Sequence, residues 1–177
     1  MKYTYTGARA QAYEAKRISQ SDWIAENDIV QEFLKDKSGV LLDCPVGTGR
    51  FFPLYTRFQA VGLDISPDML KEAEKKGKWG ELLTGDVKNL PFGDKYFDVA
   101  VCIRLLNWFS REDMIAAVKE LNRVSKCLIV GITLDSEEKP FKSAHLIHAQ
   151  DIFLSATARL HFQAVTVSGQ YKIFCFD

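Results

Sequence analysis

Short apolar runs alternate with helical stretches along most of the chain, and this alternation limits the fold more than any other feature of the sequence. Near-continuous apolar runs bounded by turn residues are typical of strands that are buried on both faces of a sheet. Five such runs lie at residues 40–45, 60–65, 81–86, 98–106 and 126–134. Helices are predicted at residues 8–18, 22–36, 47–58, 67–76, 111–124 and 148–160. This order predicts an α/β fold with a doubly wound, mostly parallel sheet.

The end of the chain departs from that alternation. Two further β-rich runs, 162–169 and 171–176, are separated only by a short turn at Gly169 and Gln170. A parallel connection needs a crossover of about a dozen residues or more, so these two strands must pair as an antiparallel hairpin. The sequence therefore predicts a mostly parallel sheet that ends in an antiparallel hairpin.

Length and charge narrow the class of protein. A chain of 177 residues is expected to form a single domain. It has 23 basic and 23 acidic side chains, and this balance argues against binding to nucleic acid by charge alone. No apolar run reaches the roughly 18–20 residues of a membrane helix, and the N-terminus is too polar for a secretory signal. We therefore expect a cytoplasmic protein without a membrane partner.

Four cysteines are present, and none of them forms a CxxC pair. They are Cys44, Cys102, Cys127 and Cys175. Most of them lie in or beside apolar runs, so they are interpreted as reduced thiols in the core. No cysteine or carboxylate stands at ligand spacing beside the close histidine pair, and no metal is expected.

The turn after the first apolar run has the composition of a ligand loop. Gly47 and Gly49 allow close approach of a ligand to the backbone, and the predicted helix that follows offers free N–H groups. A dinucleotide-binding loop needs a third glycine where this chain has Phe52. Asp43, four residues before Gly47, would repel a pyrophosphate but suits a cation such as an ammonium group. Capping of the next helix is the alternative interpretation of Asp43.

Two more acids follow the next two apolar runs. Asp64 ends the second run, where a carboxylate can accept both hydrogen bonds of a ribose diol. Asp86 ends the third run, where it can accept a hydrogen bond from an exocyclic amine such as that of adenine. An ordinary turn acid is the alternative at each position. Together the three acids suit a phosphate-free ligand with an amine, a ribose and an adenine, which describes S-adenosylmethionine (SAM).

Three motifs in this part of the chain resemble those of the class I SAM-dependent methyltransferases of the small-molecule type. They are LLDCPVGTGRF, VGLDISPDML and GDVKNLPFGDKYFDVAVCIRLLNWF, and the resemblance is strong over residues 38–134. It implies a Rossmann-like, seven-stranded sheet in the order 3-2-1-4-5-7-6 with strand 7 antiparallel, in agreement with the predicted hairpin. It also implies SAM as the cofactor and methyl transfer as the activity.

The resemblance assigns roles to residues at matching positions. It places Asp43 near the amino group of SAM, Asp64 on the ribose, and the glycine loop under the methionine part. The full set implied to bind the cofactor is Asp43, Pro45, Val46, Gly47, Thr48, Gly49, Asp64, Ile65, Met69, Asp86, Val87, Cys102 and Ile103. Pro45 departs from the family pattern, which usually has glycine there. Because proline lacks an N–H donor, the loop forms normally only if that donor is not needed.

The methyl acceptor is less constrained by the sequence. Acceptor-pocket residues are expected among Tyr13, Arg17, Asn107, Trp108, His145 and His148. A surface role is the alternative for the histidines and for the N-terminal pair, and no general base is identified. Residues 1–37 are predicted to form a helical cap, 38–134 the cofactor core, and 135–177 an acceptor-side segment with the hairpin.

Two functions remain open at this point. The first is methyl transfer to a small-molecule acceptor, with a macromolecule presented by a partner as a variant of it. The second is a SAM-binding subunit that is non-catalytic or depends on a partner within a methyltransferase complex.

Overall fold

A computed structural model describes residues 5–13, 15, 21–133, 162–168 and 171–177. Seven strands form one sheet in the order β3-β2-β1-β4-β5-β7-β6. The strands are β1 (Gly39–Asp43), β2 (Phe58–Asp64), β3 (Glu81–Thr84), β4 (Phe97–Cys102), β5 (Ser125–Thr133), β6 (Phe162–Ser168) and β7 (Tyr171–Phe176). The first five pair in parallel, whereas β7 is antiparallel to both β5 and β6. The predicted strand order and the terminal hairpin are confirmed.

Four helices have both ends among the described residues. They are α1 (Ala8–Gln11), α2 (Ser21–Leu34), α3 (Pro67–Glu74) and α4 (Arg111–Val124). The hydroxyls of Ser66 and Ser110 accept the N–H groups of Met69 and Asp113, so each serine fixes the start of its helix. Most of the predicted helix beyond Gln11 and all of the one at 148–160 lie outside the described residues.

The predicted helix at 47–58 is wrong. The segment forms turns and a single 3₁₀ turn at Phe52–Leu54. Gly47 and Gly49 have φ angles of 54° and 73°, which a right-handed helix does not allow. Pro53 has no N–H to give to the carbonyl of Gly49, which instead accepts that of Phe52 at 3.1 Å. The chain therefore passes from β1 to β2 without a helix.

The fourth strand is also shorter than the run that predicted it. It ends at Cys102, and Leu106–Trp108 form a second 3₁₀ turn. Arg104 between them has a φ of 62°, which takes the chain out of the extended conformation. This turn directs the residues after β4 across the edge of the sheet.

Helices cover both faces of the sheet. On one face, Met114, Ala117 and Leu121 of α4 join a buried cluster with residues of β4 and β5. On the other, Val30 and Phe33 of α2 pack in a second buried cluster. Within the described residues, no helix combines the length and the apolar character that crossing a membrane requires. The parallel strands end together at one side of this layered core, here called the carboxyl edge.

Candidate functional site

The loop that follows β1 at the carboxyl edge is attached to both neighbouring strands. The N–H of Cys44 donates to the carbonyl of Val101 in β4, and that of Val46 donates to Leu63 in β2, each at 2.9 Å. Pro45 lies between these two donors, after a cis peptide bond. Since the donors on either side make the attachments, the loop does not need the N–H that proline lacks.

The two glycines of this loop have different physical roles. A side chain at Gly49 would crowd helix α3, because its Cβ would lie 3.1 Å from the Cα of Ala73. A Cβ at Gly47 would meet no atom within 4 Å. Gly49 therefore allows close packing of the loop on α3, whereas Gly47 leaves open space at the carboxyl edge. That open space is where a ligand could approach the backbone.

Asp64 at the end of β2 joins the loop to α3. One carboxylate oxygen accepts the N–H of Gly47 and the other accepts that of Ser66, both at 2.9 Å. Burial raises the pKa of Asp64, and these N–H groups oppose the shift. A carboxylate has about four lone-pair sites, so the backbone N–H groups leave acceptor capacity for a ligand hydroxyl. This remaining acceptor capacity suits the hydroxyls of a ribose.

Asp86 follows β3 and lies on the same edge of the sheet. One of its oxygens accepts the N–H of Lys88 at 3.0 Å, and its side chain is 43% exposed. The Lys88 ammonium lies closer to Asp113, at 2.8 Å, than to Asp86, at 3.8 Å. The Asp86 carboxylate is therefore accessible to a ligand amine.

Asp43 at the end of β1 has a different environment. Its side chain is buried, and one oxygen accepts the hydroxyl of Tyr55 at 2.9 Å. Burial raises the pKa of Asp43 to about 7, although Tyr55 and Arg50 both lower it. Tyr55 reaches Asp43 because the chain turns tightly after Phe52 instead of forming a helix. A contact of Asp43 with an amino group stays a prediction.

The N-terminal segment lies against the start of α3. The N–H of Gly7 donates to Asp68 at 2.9 Å, and the Ser66 hydroxyl donates to the carbonyl of Tyr5. The ring of Tyr13 lies 4.9 Å from that of Tyr5. This segment therefore covers the carboxyl edge beside Asp64.

The structure also shows a charged cluster that sequence reasoning missed. Glu26 of α2 is fully buried, and its carboxylate contacts Arg50 of the glycine loop and Arg104 after β4. The guanidinium of Arg50 stacks 3.9 Å from the ring of Trp23, and that of Arg104 stacks 4.5 Å from the ring of Tyr171. These residues come from separate segments and form no local motif, so no sequence signal could have grouped them.

The remaining predicted site residues fall into three groups: exposed or partly buried residues, buried residues, and residues that lie outside the described part of the chain. Ile65 and Trp108 are exposed at the carboxyl edge, Asn107 is partly buried beside Trp108, and Tyr13 lies between aromatic rings. The predicted cofactor residues with buried side chains are Val46, Thr48, Met69, Val87, Cys102 and Ile103. Arg17, His145 and His148 lie outside the described residues.

Comparison with known proteins identifies the family. A family model described as a methyltransferase domain matches residues 42–127, which span the glycine loop and strands β2 to β4. Over these residues the chain carries a methyltransferase domain of the class I SAM-dependent type. The cofactor of this family of enzymes is SAM, and the seven-stranded sheet described above is its fold.

Curated relatives that match this chain include enzymes named for different substrates. An uncharacterized methyltransferase-like protein of Schizosaccharomyces pombe is 31% identical over 121 residues, which is 64% of this chain and 44% of that protein. A tRNA (carboxymethyluridine(34)-5-O)-methyltransferase of Arabidopsis thaliana is 35% identical over 88 residues, or 49% of this chain and 21% of that enzyme. The chain spans about half the length, or less, of these curated relatives.

A solved structure matches more of the methyltransferase fold. The magnesium protoporphyrin IX methyltransferase of Synechocystis, solved with bound SAH, superimposes with a TM-score of 0.71. The match covers 90% of this chain and 86% of that one, at 19% sequence identity. At this identity the likeness concerns the fold, and the residues that bind cofactor and acceptor have to be argued from the site.

Proposed function

We propose that this protein transfers a methyl group from SAM to a small-molecule acceptor at the carboxyl edge of its sheet. The observation that supports the proposal most is the position of Asp64 beside Gly47. Their 2.9 Å hydrogen bond joins a ribose-binding carboxylate to the loop that faces open space. When bound, SAM supplies an electrophilic methyl group on a sulfonium, which an acceptor nucleophile attacks.

The residues of this chain bind and orient the two reactants in the proposed function. Asp64 accepts hydrogen bonds from the ribose hydroxyls, and Asp86 accepts one from the adenine amine. Ile65 and Met69 flank the adenine, and Cys102 and Ile103 line the methyl region. Catalysis then depends mainly on holding the reactants in line, which accounts for much of the rate in such transfers. The N-terminal segment, through Tyr5 and Gly7, closes the edge over α3.

The acceptor is expected to be small and partly apolar. Trp108 follows β4, and its side chain is 57% exposed next to the predicted methyl region. An exposed indole offers a flat apolar surface for a ring or a chain. The balanced total of 23 basic and 23 acidic side chains does not favour an RNA acceptor bound by charge.

Replacing Asp64 by alanine is expected to weaken SAM binding at least tenfold, or by about 1.4 kcal/mol. The variant loses the ribose acceptor and the bonds that position Gly47 and Ser66. Isothermal titration calorimetry with SAM and with SAH measures the effect. Asp64→Asn keeps the shape and one acceptor, so it tests binding if the alanine variant folds poorly. Asp94→Ala, an exposed acid that pairs with Arg123, is the control.

Turnover on an acceptor panel tests the rest of the proposal. At least one small molecule on the panel should give SAH release; activity with tRNA and with no small molecule would contradict the proposal. Unchanged affinity in Asp64→Ala would show that the ribose assignment is wrong. SAM binding without turnover on any acceptor, restored by a cell fraction, would instead indicate a partner-dependent subunit.

A further inference from the structure

Two cysteines lie side by side at the edge of the sheet opposite the carboxyl edge. Cys127 is near the start of β5, and Cys175 is near the end of the antiparallel β7, so both lie at the same end of the sheet and on the same face. Their sulfur atoms are 3.7 Å apart, and both side chains are buried. Asp177 follows β7 directly, and one of its carboxylate oxygens lies within 4.8 Å of both sulfurs.

We propose that Cys127, Cys175 and Asp177 bind a thiophilic divalent cation of the Zn²⁺ type. Two Zn–S bonds of about 2.3 Å at a tetrahedral angle place their sulfurs about 3.8 Å apart. The observed separation of 3.7 Å matches this edge of a tetrahedron without any movement of the strands. The donor atoms, two sulfurs and one carboxylate oxygen, are all of types that bind zinc in proteins.

The charge around this site balances once the ion is bound. Each cysteine binds as a thiolate and releases its proton, so the two thiolates and Asp177 contribute three negative charges. Lys37 supplies one positive charge, since its ammonium lies 2.6 Å from the Asp177 carboxylate. A divalent cation completes the neutralisation. The Lys37 contact also holds the carboxylate beside the sulfurs.

The position of the site indicates what the ion does. Asp177 has a side chain that is 63% exposed, so the ion can enter from solvent and keep a water as its fourth ligand. The ligands join the end of β7 to the start of β5. Lys37, which precedes β1, links a third segment to the site through its contact with Asp177. The ion would therefore stabilise the sheet at a distance from the cofactor. The spacing of 48 residues between the cysteines explains why no motif predicted it.

Titration of the intact protein with Co²⁺ under reducing conditions tests the proposal. A thiolate-to-metal charge-transfer absorption that saturates at one equivalent, and that Zn²⁺ displaces, is the expected result. Cys127→Ser and Cys175→Ser should each weaken binding by roughly 100-fold. Cys44→Ser removes another buried cysteine and is the matched control, with unchanged metal binding.

Asp177→Asn provides a second test if the serine variants fold poorly. The Asp177 side chain is exposed, so its replacement should not disturb folding. It is expected to weaken metal binding by about tenfold with unchanged circular dichroism. Lack of a charge-transfer band in the wild type would overturn the proposal. So would a band that persists in the Cys127→Ser/Cys175→Ser double variant, or thiols that oxidise to a disulfide in air but bind no metal when reduced.

Discussion

Replacing Glu26 by alanine is expected to lower the free energy of unfolding by about 3–5 kcal/mol. The Glu26 side chain is fully buried and contacts two arginines. Removal of the carboxylate leaves Arg50, which is itself almost completely buried, without its counter-charge, whereas Arg104 keeps Asp22 at 3.6 Å. An uncompensated buried charge is among the most destabilising changes in a folded protein. Urea unfolding followed by circular dichroism measures the difference.

Two variants separate this effect from a loss of helix stability. Glu32→Ala changes a glutamate of the same helix whose contact is an exposed pair with Lys35, so its cost should stay below about 1 kcal/mol. Glu26→Gln keeps the volume of the side chain and one acceptor oxygen, and should fall between the two alanine variants. If Glu26→Ala is no more destabilised than Glu32→Ala, the cluster does not have the energetic weight inferred from its burial.

The same contacts explain why α2 belongs to the functional site. Arg50 is part of the glycine loop, and Arg104 follows β4 at the carboxyl edge. Glu26 thus joins the N-terminal helix to two loops that border the cofactor region. Asp22 of the same helix also connects α2 to the C-terminal hairpin, because its carboxylate accepts a hydrogen bond from the Ser168 hydroxyl at 2.9 Å.

The sequence determined the sheet well because its signals are local. A link at Gly169 and Gln170 too short for a crossover is enough to predict an antiparallel hairpin, and Ser66 followed by Pro67 predicts where α3 begins. The helix at 47–58 failed for the opposite reason. Its apolar residues Phe51, Phe52 and Tyr55 suit a helix face, but the positive φ of the glycines and the hydroxyl contact with Asp43 depend on the rest of the fold.

The candidate site divides in the same way. Asp64 and Asp86 could be predicted because acids that follow successive parallel strands must meet at one edge. The Glu26 cluster could not, since its members lie in segments that only the folded chain brings together. The burial of Asp43 was equally hidden, because Tyr55 covers it from a turn that the sequence predicted as helix.

The burial of Asp43 predicts that the protein loses stability as the pH rises towards neutrality. The pKa of Asp43 is raised from 3.8 to about 7 in the folded state by burial. Between these values the folded protein binds more protons than the unfolded chain, so the free energy of unfolding falls as the pH rises. The loss from this one group is about 2 kcal/mol between pH 5.5 and pH 8, and it levels off above pH 7.

Asp43→Asn isolates this contribution, since an amide does not titrate and its oxygen can still accept the Tyr55 hydroxyl. We expect the variant to gain about 2 kcal/mol relative to the wild type as the pH rises from 5.5 to 8, because titration of all other groups is common to both proteins. Chemical unfolding of the two proteins across this range measures the difference. Asp94→Asn, at an exposed carboxyl, should run parallel to the wild type. A difference between Asp43→Asn and wild type that does not change with pH would mean that Asp43 is solvated in the folded protein, and that Tyr55 does not shield it.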